Sequence, residues 1–273
     1  MILRFTKMHG AGNDFIVIDA GEQDDTFDID SLGADGRSRL ADRYTGIGCD
    51  QLLVLSAPRD ESADALLRIF NADGREAVQC GNGLRCVALF LSQKHPGKSR
   101  WRLDGAAGIV GAIVESDGSV TVDMGRPVHG SDPVACTEPL PLTVGGQTLE
   151  PSLISMGNPH AVIFVDAVAD APVATLGPAL QAFFTDGVNV EFAQVTGNNQ
   201  LRLRVWERGV GETQACGTGA CAAAVAGMQH GLQPGWVSID LPGGQLMVKC
   251  AGPGESVWLR GPAQRVFEGQ IEL

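Results

Sequence analysis

Apolar residues in this chain come in short bursts, most of them closed by Gly, Asn, Asp or Pro. Bursts of this length with turn residues at their ends predict strands over Phe15 to Asp19, Leu52 to Leu55, Leu66 to Phe70, Gly108 to Val114 and Val120 to Met124. The same reading applies to Ala161 to Val165, Leu201 to Trp206, Gln245 to Cys250 and Ser256 to Arg260. Two segments break the pattern. Leu84 to Lys94 is apolar nearly all round, and Ala220 to Gln229 is built mostly of small residues. Helices without a polar face are buried ones, so each half of the chain reads as strands around one central helix. His95-Pro96 stops the first helix and Gly231 stops the second. The expected fold is α/β in the α+β sense, with two similar halves.

The halves are similar because the chain repeats itself. Residues 68–83 read RIFNADGREAVQCGNG and residues 204–219 read RVWERGVGETQACGTG, without a gap at an offset of 136 residues. The alignment pairs Arg68 with Arg204, Glu76 with Glu212, Cys80 with Cys216, Gly81 with Gly217 and Gly83 with Gly219. Each Cys-Gly-x-Gly stands just before a predicted helix. A chain of 273 residues accommodates two domains. The boundary is expected in the Gly/Pro-rich stretch Gly125 to Pro151, giving a first half of 1–125 and a second of 126–263.

A helix N-terminus carries partial positive charge and free N–H groups. Cysteine there is expected to have a lowered thiol pKa, and a carboxylate docks on the same N–H groups. Two such turns facing each other across a cleft would hold one substrate carboxylate with a sulfur on each side of its α-carbon. One thiolate removes the α-proton while the opposite thiol delivers one to the other face, which is racemisation or epimerisation without a cofactor. Two neighbouring thiolates repel, so the pair is expected to share one proton. Read blandly, a Cys before Gly is a small buried residue at a turn; the gapless duplication argues against that for both at once.

Composition narrows the partners. The net charge is −12 and no basic run exists, which argues against a nucleic-acid partner. No apolar stretch reaches the length of a membrane span and the first residues lack a signal-peptide core, so a cytoplasmic protein is expected. The seven cysteines contain no CxxC pair, which argues against a disulfide framework and a zinc site; no metal is expected.

Other polar positions cluster around the same motifs. Gly12-Asn13 and Gly157-Asn158 look like repeat mates at turns entering apolar strands, and residues 46–51 and 187–192 are weaker partners. Asn71 becomes Glu207 across the repeat and Ala72 becomes Arg208. A Glu-Arg pair beside one motif alone suggests recognition of a zwitterion, the bland alternative being a local salt bridge. His160 and Glu207 are candidates to orient or tune the thiols.

With KMHGAGNDF at 7–15, GIGCDQ at 46–51, RIFNADG at 68–74, CGNGLRC at 80–86, GNPH at 157–160, GVNVEF at 187–192 and VWERGVGETQACGTGA at 205–220, the chain resembles the diaminopimelate epimerases over nearly its whole length. The resemblance implies a pyridoxal-independent, metal-independent isomerase that interconverts LL- and meso-2,6-diaminopimelate on the route to lysine and peptidoglycan. It implies two pseudo-symmetric domains, each a mostly antiparallel sheet or barrel around a central helix, with the active site in the interdomain cleft. A final strand, within 264–273, would return to the first domain, and a homodimer is expected. Carried over by motif, Cys80 and Cys216 are the proton carriers, assisted by His160 and Glu207. Gly81, Asn82, Gly217 and Thr218 would hold the reacting carboxylate. Asn13, Gln51, Asn71, Asn158, Asn189, Glu207 and Arg208 would line the substrate pocket. Cys49 receives no role.

Three rivals remain at this stage. A proline or hydroxyproline racemase-like enzyme shares the mechanism, but its substrate has one amino-acid centre and would not need Asn71, Asn158, Asn189 and Arg208 together. A thiol–disulfide redox protein would cycle Cys80 and Cys216 with a partner. A non-catalytic binding protein of this fold would tolerate Cys→Ala.

Overall fold

The computed structural model describes residues 1–127, 142–144, 147–252 and 254–273. Most of the expected boundary stretch, and Cys136, lie outside the described residues. Two compact units are present: Met1–Val122 with Gly261–Leu273, and Asp123–Arg260.

The first unit contains β1 (Ile2–Gly10), β2 (Asn13–Asp19), helix α1 (Gly33–Ala41), β3 (Gln51–Ser56), β4 (Ala65–Asn71), β5 (Glu76–Ala77), helix α2 (Gly81–Lys94), β6 (Arg100–Gly105), β7 (Gly108–Val114) and β8 (Val120–Asp123). The second contains β9 (Leu142–Val144), β10 (Gln147–Leu149), β11 (Ser152–Ser155), β12 (Pro159–Phe164), helix α3 (Val173–Phe183), β13 (Asn189–Gly197), β14 (Gln200–Glu207), β15 (Gly211–Thr213), helix α4 (Gly217–Gly227), β16 (Gly235–Leu241), β17 (Gly244–Cys250) and β18 (Trp258–Gly261). The last strand, β19 (Gln264–Glu272), pairs antiparallel with β1, from Ile2 opposite Glu272 to His9 opposite Gln264.

The sheets follow one plan twice. In the first unit β1 is antiparallel to β2, β2 parallel to β3, β3 antiparallel to β4, β4 parallel to β6, and β6, β7 and β8 antiparallel in turn. In the second, β11 to β14 and then β16 to β18 take the same senses in the same order. The expected strands all form, mostly with one or two residues added or lost at an end.

The expectation of one helix per half is incomplete. The parallel pairs β2/β3 and β12/β13 are buried in runs rather than alternately, the pattern of strands covered on both faces. In the first unit Phe15 and Leu53 point to α2, coming close to Gly83. Their neighbours Ile16, Ile18, Leu52 and Val54 belong to an opposite cluster that includes Leu40 and Ala41 of α1. In the second unit α3 does the same, packing Val173 and Leu180 against Ala161, Ile163, Val190 and Phe192. Neither outer helix has a strong sequence signature. Helix α1 has a polar sequence with only two buried residues, and α3 carries Gly177 and Pro178 within its span.

The central helices match expectation and begin three residues earlier, at the first Gly of each Cys-Gly-x-Gly. Ten of the eleven residues of α4 are buried, which its alanines and glycines permit by letting the sheet approach on every side. No helix among the described residues is long and apolar enough to cross a membrane.

Candidate active site

Cys80 and Cys216 occupy the same structural position. Each is the N-cap of its central helix, with extended backbone (φ −149°, ψ 107° and φ −121°, ψ 114°), and each Sγ accepts the N–H of the residue three further on, at 3.4 Å from Gly83 N and from Gly219 N. Sulfur thus takes the place that a serine oxygen usually holds in satisfying an orphan helix donor. Cys216 is 6% exposed and Cys80 more open. The conserved geometry extends upstream. Arg68 grips Glu76 through Nε and Nη2 at 2.9 and 3.0 Å, and Arg204 grips Glu212 in the same way at 2.7 and 3.1 Å.

In the first unit the expected residues form two hydrogen-bonded groups, Asn13 with Asn82 and Gln51 with Asn71. Gly12 at φ +87° lets the chain turn sharply from β1 into β2, which starts at Asn13. The Asn13 Oδ1 accepts from Asn82 Nδ2, and its Nδ2 donates to Asp50 at 3.1 Å. Behind them, Asp14 takes Arg43 through both oxygens and also takes Lys7, while Arg43 reaches Asp50 at 2.7 Å. Burial alone would raise the Asp14 carboxyl; the Arg43 and Lys7 hydrogen bonds and charges outweigh it and hold the group well below the usual carboxylate range. Gln51 and Asn71 stand directly opposite on β3 and β4, with Gln51 Nε2 donating to Asn71 Oδ1 at 2.8 Å. The buried Gln51 Oε1 has no hydrogen-bond partner among the described residues.

The second unit repeats the layout with different chemistry. Gly157 turns at φ +91° before Asn158, whose Nδ2 donates to Thr218 Oγ1 at 3.3 Å, as Asn13 meets Asn82. Thr218 in turn lies 3.4 Å from Cys216 Sγ. His160, fully buried, has Nε2 at 3.0 Å from Asn158 Oδ1 and Nδ1 at 2.7 Å from Glu191 Oε1. Asn189 spends its amide on backbone, donating to Pro159 O and accepting from Arg208 N–H, both at 3.0 Å. Glu207 accepts from Thr213 Oγ1 at 2.6 Å and acts on the Cys216 thiol through its charge. The Arg208 guanidinium reaches Asp186 O at 2.9 Å.

One expectation is reversed. The lowering effect of the helix N-terminus is outweighed at the Cys216 thiol. Burial, then the charges of Glu207 and Glu191, push it well above the ordinary value, against opposing hydrogen bonds from Thr218 and Gly219. The Glu207 carboxyl is raised too, by burial first and then by Glu191, with Thr213 opposing. Burial, with two acids beside the thiol, outweighs one helix end.

Glu191 is the buried neighbour of His160 that motif reasoning passed over. It stands in the quoted run at 187–192, but a single Glu between apolar strand residues gives no sequence sign that it faces inward. It is wholly buried, and its Oε2 has no hydrogen-bond partner among the described residues. Among those residues no three His, Cys, Asp or Glu side chains converge as a metal site requires.

A family model described as diaminopimelate epimerase matches residues 5–130 and 152–266. The chain belongs to the diaminopimelate epimerase family. A diaminopimelate epimerase of Pseudomonas entomophila is 49% identical to it over 100% of both chains, and one of Pseudomonas syringae pv. tomato is 48% identical with the same coverage. Among solved structures, a probable proline racemase from Agrobacterium radiobacter superposes with a TM-score of 0.78 at 17% identity, covering 99% of this chain and 93% of its own. That distance shows the fold alone. The chain therefore shares its fold with that protein.

Proposed function

We propose that this protein epimerises LL-2,6-diaminopimelate to the meso isomer, in lysine and peptidoglycan precursor synthesis, by a two-cysteine, cofactor-independent mechanism. The observation that carries the mechanism is the matched placement of Cys80 and Cys216, each capping the N-terminus of a buried helix in a repeated unit. The substrate follows from full-length identity to diaminopimelate epimerases, which favours this reading over a proline-type racemase.

In this reading the reacting α-carbon comes between the two sulfurs. One thiolate removes the α-proton, the electron pair moves into the carboxylate, and the opposite thiol returns a proton to the other face. Gly81, Asn82, Gly217 and Thr218 hold that carboxylate at the helix ends, where N–H groups stabilise the developing charge. His160 and Glu207 assist the thiols. Asn13, Gln51, Asn71, Asn158, Asn189 and Arg208 contact the rest of the substrate. Exposed Ile2, Val266 and Phe267 on the β1/β19 pair support a homodimer, and the setting proposed is the cytoplasm.

The decisive experiment is proton NMR of LL-diaminopimelate in D2O with reduced protein and no added cofactor. The expected outcome is meso isomer carrying deuterium at the inverted α-carbon. Unchanged substrate, with the thiols verified as reduced, would reject it.

A further inference from the structure

Arg85 is the largest side chain sealed from solvent, at 0% exposure on the inner helix α2. Burying a guanidinium is expensive, so its partners must matter. Its Nη2 donates to Asn82 Oδ1 at 2.7 Å. Asn82 Nδ2 donates to Asn13 Oδ1, Asn13 Nδ2 donates to Asp50 Oδ2 at 3.1 Å, and Asp50 is held by Arg43 at 2.7 Å. The two amides therefore lie in a chain with a guanidinium at one end and a carboxylate at the other. A guanidinium only donates and an ionised carboxylate only accepts, so a single orientation of both amides satisfies every link.

We propose that Arg85 is a positioning residue that fixes which end of the Asn82 amide is offered to the substrate carboxylate, with Asp50 fixing the same polarity through Asn13. The proposal rests on the reading of Asn82 as a carboxylate contact. A carboxylate needs donors, and an amide turned the wrong way presents an oxygen that repels it. With Oδ1 committed to Arg85, the group left for the substrate is N–H.

The repeat supplies an internal comparison. At the offset of 136 residues, Asn82 corresponds to Thr218 and Arg85 to Cys221. A hydroxyl rotates and can donate or accept as needed, so Thr218 requires no orienting cation. The half with an amide at this position has the buried arginine; the half with a hydroxyl has a buried cysteine. A different role for Arg85 also exists in the fold. Its Nε donates to Pro262 O at 3.2 Å, tying α2 to the returning segment.

A double-mutant cycle separates the two roles. The variants are Asn82→Ala, Arg85→Met and the combination, with kcat/KM for LL-diaminopimelate and Tm measured for each. Arg85→Met is expected to lower kcat/KM by about tenfold or more in the native background, the scale of a lost hydrogen bond to a charged group. In the Asn82→Ala background the same change should cost less than about twofold, because nothing remains to orient. The Tm loss from the Pro262 link should appear in both backgrounds. If Asn82→Ala keeps full kcat/KM, the carboxylate reading falls and the proposal with it. If Asn82→Ala is impaired and Arg85→Met removes the same factor from both backgrounds, the carboxylate reading stands and the positioning role is overturned. Should Arg85→Met fail to fold, Asp50→Asn tests the other end. It is expected to lower kcat/KM in the native background and not in Asn82→Ala, and equal losses would overturn the role.

Discussion

The imidazole of His160 lies 2.7 Å through Nδ1 from the Glu191 carboxylate, and neither side chain meets solvent. Glu191 also raises the Cys216 thiol. The substitution Glu191→Gln keeps the shape and removes the charge. Turnover should fall roughly ten- to hundredfold as His160 loses the carboxylate that holds its Nδ1. The Cys216 thiol should titrate at lower pH, so its alkylation by iodoacetamide, followed by peptide mass spectrometry, should begin at lower pH than in the native protein. An unmoved alkylation profile would show that Glu191 does not act on the sulfur.

Cys80→Ser and Cys216→Ser should each cut epimerisation by orders of magnitude, since a hydroxyl is a far weaker base at neutral pH. Either single variant should still exchange the α-proton of one stereoisomer with D2O, because one thiol remains. Full epimerisation by one of them would remove that cysteine from the mechanism. Mild oxidation of the native enzyme should abolish activity and reductant should restore it.

The final glycine of each Cys-Gly-x-Gly separates space from backbone freedom. A Cβ on Gly83 would meet Leu53 Cδ2 at 2.9 Å, the far end of a flexible side chain. On Gly219 it would meet Glu191 Oε1 at 2.6 Å and force the buried carboxylate to shift. Gly219→Ala should therefore reduce kcat strongly and Gly83→Ala only slightly. Equal kinetic losses would mean that the glycines serve the helix turn and not the Glu191 contact.

Alkali should destabilise the fold through its buried thiols. Burial raises Cys49, Cys86 and Cys250 from 9.0 to about 12. A raised folded-state pKa gives stability that is complete below the unfolded value and is lost as pH rises toward the folded one. Tm should fall between pH 9 and 12, and Cys86→Ala should flatten that fall. A slope unaffected by Cys86→Ala would assign the loss to other groups.

Much of this was legible in the sequence, for physical reasons. Cys80 and Cys216 stood out because a repeat keeps a helix N-cap and the two glycines after it, and Gly12-Asn13 with Gly157-Asn158 marked the turns that meet them. What escaped depended on facing. Helix α1 is polar because most of it is exposed, so its periodicity is weak. Glu191 alternates with apolar neighbours on a strand covered on both faces, where the usual inward-outward rule does not apply. The raised Cys216 thiol is not legible in the sequence, because helix position can be read there, whereas the depth of burial and the approach of Glu207 and Glu191 cannot.

The pairing of β19 with β1 has a temporal side. A ribosome releases residues 123–260 as one uninterrupted compact unit, whereas the first unit waits for residues 261–273 before its sheet has all its strands. The half encoded second can thus be the half that matures first, leaving the Ile2–Gly10 edge open during synthesis. A released chain truncated after residue 263 should hold a finished C-terminal unit while its N-terminal unit stays exposed to proteases and chaperones.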